Sequence, residues 1–291
     1  MLRIPMVSVL FWTILGAGLP QAETVVQIPV TSILNTRSVT TLTDGKLVNW
    51  QVGIDGDGKA DGYLTSAASL FVGDKNVKAL PDSGKFPADA RHPEVVLNYS
   101  NSDGTSNQTR YVQKLGEFTM PVPPARYSKL FMFFTSSEGP TTLTFILTYS
   151  DSVETVKVNL PDYFDVITNN PAVFNLATDM AKWNHQNVPV EKTHHNLDGI
   201  ELHPALGLTL TEIKVSKGTN GSYLVFWGAT GIATSPVSIG MKLRPRTVRS
   251  HQGMLFLPGS NQSVGKFIPE FRENGFSVLG RTNFRFTYSD N

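Results

Sequence analysis

The chain of 291 residues contains no cysteine, which excludes disulfides, thiolate nucleophiles, zinc fingers and iron–sulfur clusters. It also lacks an excess of charge of either sign, because 25 lysines and arginines face 24 aspartates and glutamates. A protein that binds nucleic acid or an anionic membrane surface through bulk electrostatics needs a clear basic excess. The composition therefore predicts that the protein binds neither nucleic acid nor a membrane surface.

Sequence signatures of the common catalytic sites are missing as well. The chain has no Gly-x-Ser-x-Gly elbow, no His-Glu-x-x-His, no Walker loop and no dinucleotide fingerprint. A glycosidase needs only two carboxylates that face each other across a cleft. A secreted glycoside hydrolase or polysaccharide lyase is therefore an open alternative, so whether the protein is an enzyme stays undecided. Its candidate carboxylates are Asp162, Asp165, Asp179, Glu138 and Glu191.

The N-terminus carries a targeting signal. Arg3 precedes an apolar run over residues 7–15, and small residues follow at 16–18 and at Ala22. The run is shorter than the ~20 residues that span a bilayer, which favours a signal peptide over residues 1–22 rather than an uncleaved anchor. Its removal leaves the chain with zero net charge and without stable membrane insertion. Export without cysteine suits a bacterial secreted or periplasmic protein.

Residue patterns after the signal predict strands almost throughout. Residues 142–150 and 154–160 alternate polar and apolar side chains around an Asp-Ser turn, which predicts a hairpin. The apolar run 129–134 predicts a central strand buried on both faces. Only 64–71 and 173–183 show helical spacing. The chain is therefore predicted to be all-β, an antiparallel β-sandwich with one or two short helices. Further strands are predicted over 210–216, 223–227 and 283–288.

Two of these segments carry a resemblance to a known family. Phe145-Ile-Leu-Thr-Tyr-Ser-Asp151 leads through a Val-rich strand to Leu160-Pro-Asp-Tyr-Phe164. This pattern resembles the galactose-binding-like jelly-roll modules associated with bacterial carbohydrate-active enzymes. The resemblance covers residues 24–231 and implies a jelly-roll-like sandwich that binds carbohydrate. It predicts a carbohydrate-binding-like domain over 23–231 and a β-rich C-terminal extension over 232–291, which has no counterpart in the family.

A candidate calcium loop lies at residues 53–61, which read Gly-Ile-Asp-Gly-Asp-Gly-Lys-Ala-Asp. Alternating carboxylates and glycines let several oxygens face one point, as Ca²⁺ requires. The segment resembles the calcium loops of extracellular repeat proteins. In that alignment Asp55, Asp57 and Asp61 are side-chain ligands and Lys59 supplies a backbone carbonyl. The first ligand position holds glycine, and the alternative is a plain Asp-Gly turn.

Exposed aromatic rings are the other expected feature of a carbohydrate site, because a ring stacks on the apolar face of a pyranose. The rings predicted to lie in or near loops are Trp50, Tyr63, Tyr163 and Trp183.

Four histidines cluster at His185, His194, His195 and His203, near Asp198. Adjacent His194 and His195 point to opposite faces of an extended segment, so both cannot bind one ion from a strand. One of them can serve a metal or a sugar hydroxyl, but surface histidines on a polar loop are the favoured interpretation.

A basic cluster, Lys242 to Arg249, follows a soft boundary at residues 234–236. It is typical of a solvated strand edge, and an acidic or sulfated partner is the alternative.

The sequence thus favours a secreted β-sandwich, stabilised by calcium, that binds carbohydrate or another extracellular polymer without transforming it. A surface adhesion or matrix protein built on the same sandwich is a further alternative to the enzyme.

Overall fold

The computed structural model describes residues 23–54, 62–74, 78–112, 115–168, 170–183, 195–218 and 221–234. Nearly all its regular structure is β. The helical parts of these ranges are one α-helix, α1 (Ser66–Phe71), and a 3₁₀ turn at Thr31–Ile33. No helix in these ranges is long and apolar enough to cross a membrane. The strands in chain order are β1 (Glu23–Gln27), β2 (Val39–Thr43), β3 (Lys46–Val48), β4 (Gly62–Leu64), β5 (Lys85–Phe86), β6 (Val95–Val96), β7 (Arg110–Val112), β8 (Glu117–Ser137), β9 (Thr141–Tyr149), β10 (Val153–Leu160), β11 (Val173–Ala177), β12 (Lys182–Trp183), β13 (Leu197–Leu202), β14 (Leu210–Lys217) and β15 (Tyr223–Thr234).

Strand β8 joins the two sheets of a sandwich. Its first part, residues 117–125, pairs with β14 and leads to β9 and β10, and we call these strands the outer sheet. Its second part, residues 126–137, pairs with β15 and β13, and with β1, β7 and β11 these form the central sheet. Prolines at 121, 123 and 124 lie near the change of partner, where missing N–H groups cost little pairing.

Both faces of the central sheet are buried. Along β8, Leu130, Met132 and Phe134 point into the core between the two sheets, whereas Phe131 and Phe133 point into a second core on the opposite face. The start of β15 divides in the same way, since Leu224 and Phe226 belong to the first core and Val225 and Trp227 to the second. This confirms that the apolar run 129–134 is a central strand buried on both faces.

The second core is closed by a third layer, which we call the covering layer (residues 36–54, 62–74 and 78–99). Its strands are short, and β2, β3, β4 and the later β12 form one small sheet while β5 and β6 form another. Asp44 and Gly45 close the β2–β3 hairpin with φ of 50° and 73°, the conformation that a two-residue turn of this hand requires. The layer places Val39, Tyr63 and Leu97 against the central sheet.

A buried carboxylate links the covering layer to the central sheet. The Glu201 side chain is only 6% exposed, and its oxygens lie 2.8 Å from Lys129 Nζ, 3.2 Å from His203 Nε2 and 4.0 Å from Arg91 Nη1. Arg91 comes from the covering layer and also lies over the Phe174 ring, 5.2 Å from its centroid. The contacts with Lys129 and Arg91 offset the cost of burying the Glu201 carboxylate. The Arg91 contact also ties the covering layer to the central sheet.

The all-β sandwich predicted from the alternating patterns is confirmed, including the β9–β10 hairpin and the strands at 210–216 and 223–227. The helix predicted near 64–71 is α1. The second predicted helix, 173–183, is wrong: Val173–Ala177 forms β11 and Lys182–Trp183 forms β12. Strand partners β13 and β4 decide those segments, because pairing and burial override weak local helical spacing. The strand predicted at 283–288 and the signal peptide lie outside the described residues.

Candidate functional site

The four aromatic residues chosen from the sequence are buried. Their relative exposure is 6% for Trp50, 0% for Tyr63, 2% for Tyr163 and 8% for Trp183. The expectation that they present exposed loop rings is therefore wrong. A ring enclosed by protein offers no face to a pyranose, so none of the four enters the candidate site proposed below.

These rings are buried because the covering layer packs with them. Tyr63 lies on β4, its ring centroid is 5.6 Å from that of Trp227, and its hydroxyl donates to the Asn196 carbonyl at 2.8 Å. Trp50 Nε1 donates to the Trp183 carbonyl at 2.9 Å. The sequence shows polar neighbours around these residues and therefore suggests loops; only the third layer makes the positions internal.

An exposed aromatic ring does occur one residue after Tyr163, at Phe164. We call residues 161–167, which follow β10, the corner loop. Within it Phe164 is 43% exposed and Val166 is 61% exposed. Among the described aromatic residues, only Phe71 and Phe164 are classed as exposed. Phe164 therefore offers the kind of surface that the sequence analysis sought at four other positions.

Hydrogen bonds to the sandwich hold the backbone of the corner loop. Tyr163 N donates to the Ser136 carbonyl at 2.7 Å, and the Tyr163 carbonyl accepts from Asn196 N at 2.8 Å. Asn196 Nδ2 donates to the Asp165 carbonyl at 2.9 Å, and Ile167 N donates to Asn175 Oδ1 at 3.0 Å. Four bonds, to β8, to β11 and to the residue that precedes β13, give the loop a fixed conformation before any ligand arrives, which lowers the entropy cost of binding.

Aromatic packing supports the exposed ring from below. The Phe164 centroid is 4.6 Å from that of Tyr163 and 4.9 Å from that of His195, whose own centroid is 5.2 Å from Tyr163. His195 and Tyr163 are both buried. The three rings therefore form a packed group in which one member, Phe164, reaches solvent.

Carboxyl groups lie in the corner loop and beside the residue that bonds to it. Asp162 caps the loop, since its Oδ1 accepts from Phe164 N at 2.9 Å and its Oδ2 accepts from Gly139 N at 2.6 Å. Glu138, beside Gly139, is exposed, and so is Asp165. Such groups accept hydrogen bonds when ionised, so the loop presents an apolar face next to strong acceptors.

A fourth carboxyl group lies beneath the surface. Asp198 on β13 is fully buried. Its carboxyl accepts from Asn175 Nδ2 at 2.7 Å, and its Oδ2 has no hydrogen-bond partner among the described residues. Burial raises the pKa of Asp198 well above its usual value, the Asn175 hydrogen bond opposes that rise, and the charges of Asp162 and Asp165 add to it. The neutral acid is thus the form that the fold favours here.

The remaining predicted site residues separate into two groups. Among the histidines, His195 is buried in the ring group, which corrects the surface interpretation, and His203 is exposed beside Glu201. Among the glycosidase candidates, Asp179 pairs with Lys78 at 3.0 Å instead of joining the corner loop.

The other named positions lie outside the described residues: the calcium-loop residues Asp55, Asp57, Lys59 and Asp61, and also His185, His194, Glu191 and the basic cluster from Lys242 to Arg249. Within the described ranges, no group of three or more His, Asp or Glu side chains is arranged to hold a metal ion.

Phe164 was not among the aromatic residues predicted from the sequence to bind carbohydrate, although it belongs to the Pro-Asp-Tyr-Phe segment that carries the family resemblance. The available signal was the position of Phe164 after a strand end and an Asp turn, where backbone leaves the sheet. Burial of Tyr163 and exposure of Phe164 follow from the bonds at Ser136 and Asn196, which sequence does not reveal.

Likeness to known proteins is found among the solved structures. No family model and no curated protein matches this chain. Among the solved structures, the chain is similar to the carbohydrate-binding module TmCBM61, solved in complex with β-1,4-galactotriose. The identity is 10% and the TM-score is 0.21, and the match covers 44% of this chain and 69% of that one. A likeness at this level says nothing about the ligand of this protein.

Proposed function

We propose that the protein binds carbohydrate without transforming it, and that the binding site is the corner loop with Phe164 as the stacking ring. One observation carries the proposal: Phe164 is an exposed ring on a hydrogen-bonded loop that also contains the carboxyl groups of Asp162 and Asp165.

A sugar needs both kinds of contact that the corner loop offers. The C–H face of a pyranose packs on an aromatic ring, while its hydroxyls need acceptors and donors around the ring edge. Asp165 supplies an exposed acceptor, and Asp162 is oriented by two backbone amides. The ring group of Tyr163 and His195 holds Phe164 in place, so little conformational freedom is lost on binding.

Affinity electrophoresis on gels that contain soluble polysaccharides tests the proposal. The panel comprises galactan, xylan, glucomannan, polygalacturonate and heparin. Phe164→Ala is compared with Phe71→Ala, which removes another exposed ring, on α1. Because one stacked ring contributes about 1.4 kcal/mol or more, we expect Phe164→Ala to weaken retention by about tenfold. Phe71→Ala is expected to behave as wild type.

Two results would contradict the proposal. The first is a wild-type protein that none of these polysaccharides retards, or a retardation that Phe164→Ala leaves unchanged. The second is release of reducing ends from a retained polysaccharide, which would replace binding by hydrolysis or elimination. Equal melting temperatures of the two variants control for a loss of folding.

We also propose that the protein is exported and that residues 1–22 are removed. The support is Arg3 followed by a short apolar run and small residues. N-terminal sequencing of the exported protein is expected to begin between residues 19 and 23. A sequence that starts at Met1 or Leu2 would contradict it.

A further inference from the structure

We propose that the corner loop selects neutral saccharides and rejects chains that carry uronate or sulfate groups. This inference rests on the proposed function and adds the charge class of the ligand.

The carboxyl groups of the corner are uncompensated. Glu138, Asp162, Asp165 and Asp198 form no ion pair with any residue in the described part of the chain. The ion pairs that the described residues do form lie elsewhere: Lys78–Asp179, Lys85–Glu94, Lys214–Glu117, His92–Asp89, and the contacts of Lys129, Arg91 and His203 with Glu201. Among the described residues, the exposed ring thus lies in a loop whose carboxyl groups, Asp162 and Asp165, have no paired cation, in a chain whose total charge is close to zero.

The lysine that contacts Tyr163, next to Phe164 in the chain, is internal. Lys182 on β12 is only 5% exposed, and its Nζ donates to the Tyr163 hydroxyl at 3.3 Å. An ammonium held there is not available to a carboxylate or sulfate that stacks on Phe164. The described residues therefore offer an anionic sugar no counter-charge at this surface.

The arrangement fits hydroxyl groups better than a bound cation. Asp162 directs its two oxygens to the amides of Gly139 and Phe164, and the Asp198 carboxyl lies inside the protein. Among the described residues these acids do not converge as a metal ligand set. Asp165 forms no side-chain hydrogen bond to any described residue, so it is available to accept from a sugar hydroxyl.

Coulomb repulsion sets the size of the expected selectivity. Two exposed carboxylates at roughly 6 Å from an anionic group weaken binding by about tenfold in a water-like dielectric. Salt screens such charges over a Debye length of about 10 Å at 0.1 M. The discrimination against anionic chains should therefore shrink as the ionic strength rises, whereas retention by neutral chains should change little.

The test uses the full mature chain and the same gel panel at low and high salt, and it scores only the retention that Phe164→Ala removes. Glu138→Gln with Asp165→Asn removes two charges at the corner while preserving size. The matched control is Asp151→Asn with Glu212→Gln. Asp151 lies just before the start of β10 and Glu212 lies opposite Thr148 on β9, whereas the corner loop follows the end of β10.

We expect wild type to retain a neutral polysaccharide about tenfold better than polygalacturonate at low salt. The corner double variant should reduce that ratio severalfold, and the control double variant should leave it unchanged. Phe164-dependent retention of polygalacturonate or heparin equal to that of neutral chains would overturn the selectivity but leave carbohydrate binding intact. An equal change in ratio in both double variants would also overturn it, because net charge rather than the corner would be responsible. Absence of any Phe164-dependent retention is instead the failure of the proposed function itself.

Discussion

The outer sheet and the covering layer pack against opposite faces of the central sheet, and the sandwich and the covering layer are built by different means. The sandwich core holds regularly alternating apolar side chains of long strands, such as Leu143, Phe145 and Leu147 on β9. The covering layer has strands of two to five residues and fixes its backbone through polar side chains. Thr40 Oγ1 accepts from Trp50 N at 3.3 Å, and Gln108 Oε1 accepts from Val39 N at 2.9 Å.

This difference shows where each region is vulnerable. A sandwich of paired strands satisfies its backbone groups internally, so its stability depends mainly on buried apolar volume. The covering layer leaves many backbone groups for side chains to satisfy, and each such side chain is costly to lose. Substitutions of the two kinds should therefore separate the regions.

The largest expected effect is in the sandwich core. Phe134 is fully buried, and its ring centroid lies 6.1 Å from that of Phe145 and 5.2 Å from that of Phe226. Phe134→Ala should lower the free energy of unfolding by about 3–5 kcal/mol, since it creates a cavity that the sheets cannot close. Chemical denaturation measures this loss, and Ile146→Ala on the solvent face of β9 is the control. Equal losses for the two would contradict the assigned core.

The next effect concerns the covering layer. Arg37 is 2% exposed and donates to the Ser106 carbonyl at 2.8 Å, to Thr41 Oγ1 at 3.2 Å and to the Asp103 carbonyl at 3.4 Å. Arg37→Met keeps bulk but leaves these acceptors unpaired, so we expect a loss of about 2–4 kcal/mol. Hydrogen exchange should show the loss concentrated at residues 36–43 and 100–109. Exposed Arg126→Met should cost less than about 0.5 kcal/mol, and an equal cost would contradict the structural role of Arg37.

The third prediction concerns the candidate calcium loop, which follows Ile54 of the covering layer. Asp55, Asp57 and Asp61 follow Ile54, which is fully buried in the second core. If these residues bind Ca²⁺, the free energy of unfolding should be about 2.7 kcal/mol lower in EDTA than in buffer that contains Ca²⁺ at a hundred times its Kd. Asp57→Ala should lose the same stability and become insensitive to EDTA. Identical wild-type melting temperatures with and without EDTA would make the segment a plain turn.

The smallest effect concerns the buried acid below the corner loop. The pKa of Asp198 is raised in the folded state, so the stability that it contributes is complete below its unfolded pKa of about 3.9 and is lost as the pH rises toward the folded value. Asp198→Asn removes that dependence. It should be more stable than wild type by about 1–3 kcal/mol at pH 7, with the difference vanishing near pH 3. Greater stability of wild type at pH 7 would show that the ionised form is favoured.

Prediction from sequence succeeded where a pattern is local. Alternation over 142–150 and 154–160 defines β9 and β10 because neighbouring side chains on a strand face opposite sides. The same reasoning failed for 173–183, whose helical spacing gives way to pairing with β13 and β4. It also placed the binding rings at Trp50, Tyr63, Tyr163 and Trp183, which are buried.

The sequence by itself determined the all-β class, the doubly buried strand at 129–134 and the hairpin turn at Asp151 and Ser152, because side-chain alternation, apolar runs and Asp turns act over a few residues. Only the tertiary structure decided that a third layer covers the central sheet, and that Phe164 rather than Tyr163 reaches solvent. These outcomes depend on contacts between residues far apart in the chain, such as Tyr163 with Ser136 and Tyr63 with Asn196. No local pattern encodes such pairs, since the energy that fixes them arises only when the layers pack together.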